Sequence, residues 1–283
     1  MMVGIPLIVV GGLIWFPAIA SILLSFTSWD GIGGLKTIQL VGTRNYEQIG
    51  TIYPPFWPAV EHNLYWLAVL AFVATPFGML LAYQLDKRIR GTRIYQSIYF
   101  LPVVLSLAII GFICQLFYSP DQGLINNVTG HTPQSGHVID WLGDPSLNLW
   151  AVLAFASWRH AGYIMILYLA GLKAMDPSLR EAAAIDGSKG WHTFRTVVFP
   201  ALKPINIVIV VVTVIEALRA FDIVYIVNRG RNGLELLSVL VTDNIIGEAS
   251  RIGYGSALGA ILLVISLVPI IVFVSNYFRE KST

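Results

Sequence analysis

Charged side chains are scarce in this chain. Asp, Glu, Lys and Arg make up 12% of its 283 residues, about half the share of an ordinary soluble domain. The balance of 18 basic against 16 acidic residues leaves a formal charge of +2, too small to argue for a nucleic-acid partner. One cysteine, Cys114, sits inside an apolar run, so no disulfide framework exists and its expected role is inert packing. Five scattered histidines form no H-E-x-x-H or comparable arrangement, so no metal, cofactor or catalytic residue is expected. No G-x-x-x-x-G-K-S/T phosphate cradle occurs either, which leaves any nucleotide chemistry to another chain.

Apolar residues dominate instead, at 56% of the chain with a mean hydropathy of +0.71. Six runs, approximately 2–26, 61–85, 94–118, 148–172, 204–228 and 252–276, are long enough for a helix to cross ~30 Å of hydrocarbon. The chain reads as an all-α integral membrane protein, a single transmembrane domain over 1–283 with six helices. Ala18-Ile19-Ala20 has the look of a signal cleavage site. No basic leader precedes it, however, and the run continues through Leu23 and Leu24, so span one reads as a retained helix.

Basic residues set the orientation. Lys87, Arg88, Arg90 and Arg93 lie between spans two and three, and Arg279 and Lys281 lie in the tail. Lys173, Arg180, Lys189, Arg195 and Lys203 lie between spans four and five. The opposite loops hold Lys36, Arg44, Arg229, Arg231 and Arg251, a split of eleven against five. The positive-inside rule then places both termini and the 173–203 segment in the cytoplasm. The outer loops carry interfacial aromatics and prolines, in YPPFWP (53–58) and WLGDPSLNLW (141–150).

The segment 173–203 is polar in an otherwise apolar chain. Asp176 can cap a helix that opens on Pro177, where the missing N–H costs nothing. SLREAAAI (178–185) is strongly helix-forming, and Gly187 supplies a left-handed stop. Ser188 or Gly190 restarts the chain, and a second short helix over WHTFRTVVF (191–199) is expected to end at Pro200. Connections usually run ~2–8 residues. One of some thirty, with structure of its own, favours docking onto another molecule over a solvated connector.

The motif in this segment is specific. Glu181-Ala182-Ala183, Gly187 and then Val197-Val198-Phe199-Pro200 resemble the pattern E-A-A-x-x-x-G, nine residues, I-x-L-P, with Val for Ile and Phe for Leu. That pattern marks the membrane subunits of ATP-binding-cassette importers. The fuller stretch EAAAIDGSKGWHTFRTVVFPALKP (181–204) is similar to their carbohydrate-uptake branch. YFLPVVLS (99–106), GLIN (123–126) and ALRAFDIVY (217–225) resemble that branch too, so the likeness runs from span two to span six. The resemblance implies a coupling helix that inserts into a cleft of a cytoplasmic ATPase subunit through Glu181, Ala182, Ala183, Asp186 and Gly187. The small alanines permit close approach, and Glu181 offers an anion to a basic partner. The resemblance also implies two copies of that ATP-binding subunit, a second homologous permease subunit, and an extracytoplasmic substrate-binding protein or lipoprotein. The location it implies is a bacterial or archaeal inner membrane.

Ionisable groups inside a span cost about 2.5–3.5 kcal/mol on insertion scales, so they face protein or water. Span four holds Ser157, Trp158, Arg159, His160 and Tyr163; span five holds Thr213, Glu216, Arg219 and Asp222. Ser157, His160 and Tyr163 recur at three-residue spacing, as do Thr213, Glu216 and Arg219, so each set can share a helix face. In the family that the motif resembles, sugar contacts come from these two helices. The implied pathway residues are Ser157, Trp158, His160, Tyr163, Thr213 and Glu216. Blander readings stand beside this one: Glu216 and Arg219 neutralising each other, Arg159 as glue to a partner subunit, His160 as a packing residue, and the aromatics as interface filler.

A face of hydroxyl, imidazole and aromatic groups beside a self-compensated Glu216–Arg219 pair suits a neutral polyol. That favours a mono-, di- or oligosaccharide over glycerol phosphate or another polar solute. A secondary transporter is the competing class, but it needs no docking loop, and the sequence shows no inverted repeat of broken helices. A membrane enzyme would require clustered ligands that the sequence lacks.

Overall fold

The computed structural model describes residues 4–32, 34–87, 90–247 and 250–281, without the side chains of 35, 274 and 276–281. Met2 and Val3 of span one, Arg88, and the side chains of Arg279 and Lys281 therefore lie outside the described part. Among the described residues every regular element is helical, apart from an isolated antiparallel bridge between Thr27 and Leu40.

Among the described residues, four helices are long and apolar enough to cross a membrane: α1 (Gly4–Leu24), α3 (Phe56–Asp86), α7 (Asn148–Ala174) and the Ile252–Phe273 stretch of α13 (Ile252–Lys281). A short amphipathic helix, α2 (Arg44–Thr51), precedes α3 and buries Asn45 and Ile49. The runs expected to form spans three and five are both interrupted.

Span three divides into α4 (Thr92–Val104) and α5 (Leu107–Phe117), which meet at 102° and pass the length and composition test only as a pair. Pro102 removes a backbone donor one turn earlier. Leu105 and Ser106 are both extended, and the Ser106 hydroxyl accepts from the Ile109 N–H, capping the new start. After α5 the chain continues through the short α6 (Leu124–Thr129) into α7.

Span five divides into α10 (Lys203–Leu218) and α11 (Asp222–Asn228). At 16 residues α10 falls short of the ~20 needed to cross alone. Neighbouring side chains satisfy the carbonyls that the break frees. Asn63 on α3 donates to Ala217 O (3.3 Å) and accepts from Leu237 N (2.9 Å), while Ser238 Oγ donates to Ala220 O (2.5 Å). Irregular backbone inside a membrane protein persists only where protein supplies such partners. Leu237 and Ser238 open α12 (Leu237–Ile245), which packs on α13.

The post of the fold is α7, whose apolar stretch is more than half buried (56%). Two glycines set its approach to its neighbours. A Cβ at Gly78 of α3 would lie 2.6 Å from Ala161 O, and one at Gly162 of α7 would lie 2.2 Å from Tyr99 O of α4. Small residues at such crossings let membrane helices pack backbone to backbone. One core cluster (Trp66, Leu70, Ile110, Leu153, Val224, Leu236) surrounds the breaks. A second (Ala82, Met165, Leu169, Phe194, Val198, Leu202) ties the loop 173–203 to the ends of α3 and α7.

Candidate functional site

The break at 219–221 opens one wall of a cavity of about 240 Å³ between α3, α7 and α10. Its polar lining is Arg159, His160, Glu216, Arg219 and Asp222, and Trp66, Leu107 and Phe221 supply apolar surface. Arg159 Nη1 donates to Glu216 Oε2 across 3.2 Å, joining α7 to α10. The expected Glu216–Arg219 pair is therefore corrected. Arg219 ends α10 and turns toward the cavity, and no carboxylate lies within 4 Å of it among the described residues. Three-residue spacing on one helix could not reveal that a cation one helix away holds Glu216.

Behind this pair lies a hydroxyl–imidazole cluster. His160 Nε2 lies 3.2 Å from Thr213 Oγ1 and 3.3 Å from Thr75 Oγ1, and the two hydroxyls are 3.4 Å apart. His160 and Thr213 are almost fully buried, at 2% and 3% exposure. Three helices thus meet at one imidazole. Thr75 follows a π-turn, Leu70–Ala74, that adjusts α3 ahead of Pro76. Thr75, Trp66 and Leu70 do not stand out as site residues in the sequence, because they lie on α3, outside the polar runs of spans four and five. The one available signal was the Thr75-Pro76 step inside an apolar run.

The remaining candidates lie elsewhere. Trp158 is 38% exposed and sits edge-on to Phe155, away from the cavity. Tyr163 is half-buried against the Met165–Leu169 cluster. Ser157 Oγ is buried with no hydrogen-bond partner among the described residues.

The segment 173–203 folds largely as its sequence indicates. Asp176 caps α8 (Pro177–Ile185) by accepting from Ser178 N (2.9 Å), and that bond holds its carboxyl below the ordinary carboxylate range. Gly187 has φ +76°, with Ser188 N bonded to Ala183 O (2.9 Å) and Gly187 N to Ala184 O (3.1 Å). This is a Schellman stop. Gly190 turns the chain again at φ +56° into α9 (191–201). Pro200, expected to end that helix, is followed by one more helical residue, Ala201. A π-turn at Phe194–Val198 lets Phe199 N reach Phe194 O, and helical backbone continues to Ala201.

Glu181, Ala182, Asp186 and Gly187 are exposed, whereas Ala183 is buried against the protein itself. Leu179, Ile185 (86%) and Trp191 (63%) are exposed apolar residues beside them. The segment is fastened to the end of α3. Arg180 Nη1 donates to Asp86 Oδ2 (2.6 Å), Tyr83 OH donates to Gly190 O (3.3 Å), and the Tyr83 ring lies 4.8 Å from that of Phe194. Trp66, Leu70 and Thr75 belong to the same 31-residue helix region, so one long element runs from this loop to the cavity.

No group of three or more His, Cys, Asp or Glu suited to a metal occurs among the described residues. A probable ABC transporter permease protein of Pyrococcus horikoshii is 30% identical, the match covering 94% of this chain and 90% of that protein. The xylose/arabinose import permease protein XacH of Haloferax volcanii is 30% identical over 93% of this chain and 83% of its own length. A chain of a bacterial ABC transporter involved in the import of the acidic polysaccharide alginate superposes with a TM-score of 0.82 at 20% identity, covering 100% of this chain and 94% of that one, and so shares the fold. Broken helices therefore do not mark a secondary transporter here. Residues 74–281 match the model of the binding-protein-dependent transport system inner membrane component, and the chain belongs to that family of ABC transporter permeases.

Proposed function

We propose that this chain is the non-catalytic membrane subunit of an ATP-driven importer whose cargo is a neutral, hydroxyl-rich solute: a mono-, di- or oligosaccharide. The observation that carries this reading is the cavity at the span-five break. There the Arg159–Glu216 pair is compensated internally, Arg219 is balanced in charge by Asp222 of the same lining, and Phe221 offers an aromatic face. Aromatic surface with a few fixed polar groups suits a sugar ring. At about 240 Å³ the cavity lies under the ~300–1,000 Å³ common for small-molecule sites. A second permease subunit would complete it for longer saccharides. The two sugars named for the Haloferax relative, xylose and arabinose, support the same class.

The single domain 1–283 would span the membrane six times, spans three and five being broken, with both termini in the cytoplasm. The loop 173–203 would dock on a separate ATPase subunit, two copies per complex. The exposed Glu181, Ala182, Asp186 and Gly187, flanked by Ile185 and Trp191, supply that face, since exposed apolar residues gathered in one place mark contact surfaces. Ala183 would support the face from behind. The Arg180–Asp86 and Tyr83 contacts would carry motion of this loop along α3 to the cavity. An extracytoplasmic binding protein would deliver the cargo.

The test is uptake of a labelled panel by the reconstituted complex: neutral mono- and disaccharides, a uronic acid and glycerol phosphate. Saturable, ATP-dependent uptake of a neutral sugar, weakened in Glu216→Gln, is expected. Uptake confined to the anionic solutes rejects the assignment.

A further inference from the structure

The loops that the charge balance places outside hold five basic residues, and three of them converge. Arg229, Arg231 and Arg251 line a cleft of about 410 Å³ with Tyr53, Tyr225 and Asp243. None of the three guanidiniums has a carboxylate within 4 Å among the described residues. Among the described residues, three cations therefore line the cleft with one acid. Burial raises the Asp243 carboxyl above its ordinary value, while Arg231 and Arg229 pull it back.

Unusual backbone flanks the cleft. Arg229, Asn232 and Ser250 are the non-glycine residues with positive φ among those described, at 57°, 55° and 40°. All three belong to the two segments that carry the arginines, and such conformations persist where surrounding contacts enforce them. Arg229 N bonds to Tyr225 O (3.0 Å), Arg251 N to Asn244 O (2.8 Å), and Asn244 Nδ2 to Tyr53 OH (3.0 Å). The cleft is also connected to the inner cavity. Phe221 and Asp222 line that cavity at one end of α11, and Tyr225 and Arg229 line the cleft at the other. The Phe221 and Tyr225 rings stack at 5.0 Å.

We infer that the Arg229–Arg231–Arg251 cleft is the docking point for an acidic surface segment of the extracytoplasmic binding protein, whose carboxylate these guanidiniums clasp. This rests on the importer reading and its orientation. Arg forks match carboxylates bidentately, and a positive concavity steers an acidic surface into register. Seating a carboxylate there would press on α11, the helix that also borders the cargo cavity.

The complex is reconstituted in proteoliposomes with its binding protein, and the concentration giving half-maximal stimulation of ATP hydrolysis is measured at low and high salt. Arg231→Glu and Arg251→Glu should each raise that concentration roughly ten-fold at low salt and much less at high salt, with Arg231→Lys intermediate. Arg231→Gln, expected to show a smaller rise, replaces the reversal if the reversal fails to assemble. Wild-type half-saturation in both reversals at low salt overturns the docking site and leaves the importer reading standing. Lost uptake with unchanged half-saturation also overturns it, since the arginines would then serve a solute carboxylate. A wild-type complex that the binding protein fails to stimulate overturns both.

Discussion

Arg180 and Asp86 lie 94 residues apart and meet at 2.6 Å, locking the first helix of the 173–203 loop to the end of α3. Asp86 is largely buried, at 13% side-chain exposure, and Arg180 is at 37%. Arg180 Nε and Nη2 are buried without further partners among the described residues, so this one carboxylate carries the compensation. Asp86→Asn should weaken the lock by roughly 1–3 kcal/mol, the scale of a charge-assisted hydrogen bond. The expected result is a complex that assembles and hydrolyses ATP but transports fewer solutes per ATP. The exchange Asp86→Arg with Arg180→Asp should recover part of that ratio. An unchanged ratio in Asp86→Asn would show that the pair carries no motion.

Gly187 has open space around it, so any effect of a side chain there comes from its φ of +76°. Gly187→Val should strain the stop by roughly 1–3 kcal/mol, whereas Gly187→Asn should be tolerated. Substrate-stimulated ATP hydrolysis should fall in the valine variant and persist in the asparagine one. Equal hydrolysis in both would mean the turn is not needed for coupling.

Ile185, 86% exposed beside the motif, tests the docking face directly. Ile185→Asp touches no internal packing, so membrane insertion should be normal while co-purification of the ATPase subunit drops. Wild-type recovery of that subunit would move the docking face elsewhere.

Within the cavity, Arg159→Met should be more damaging to folding than the double change Arg159→Met with Glu216→Leu. Removing one member of a partly buried pair strands the other charge, and removing both does not. Thermal denaturation of the purified subunit reads the difference. Equal destabilisation would indicate that water solvates Glu216 without help from Arg159.

Orientation is tested by single cysteines in a Cys114→Ser background, since the native thiol is buried. An impermeant thiol reagent added to whole cells should reach a cysteine at position 136 and miss one at 189. Outside labelling at 189 would invert the topology.

Much of this molecule is legible in one dimension. Membrane residence follows from apolar run length alone, because the bilayer thickness is a fixed ruler. Asp176, Pro177 and Gly187 act through their own backbone and its near neighbours, so cap, first turn and stop could be read as local chemistry. His160 and Glu216 announced themselves because polar groups in an apolar run are costly. Tertiary structure alone decided the partners. Glu216 turned to Arg159 of α7 instead of Arg219, and Thr75 joined His160 from a helix whose sequence shows little polarity there. Pro200 stayed within a helix that a π-turn had adjusted. Spans three and five broke where Ser106, Asn63 and Ser238 were placed to satisfy the freed backbone. Each outcome depends on which helix lies beside which, and helix packing brings together residues that no sequence spacing relates.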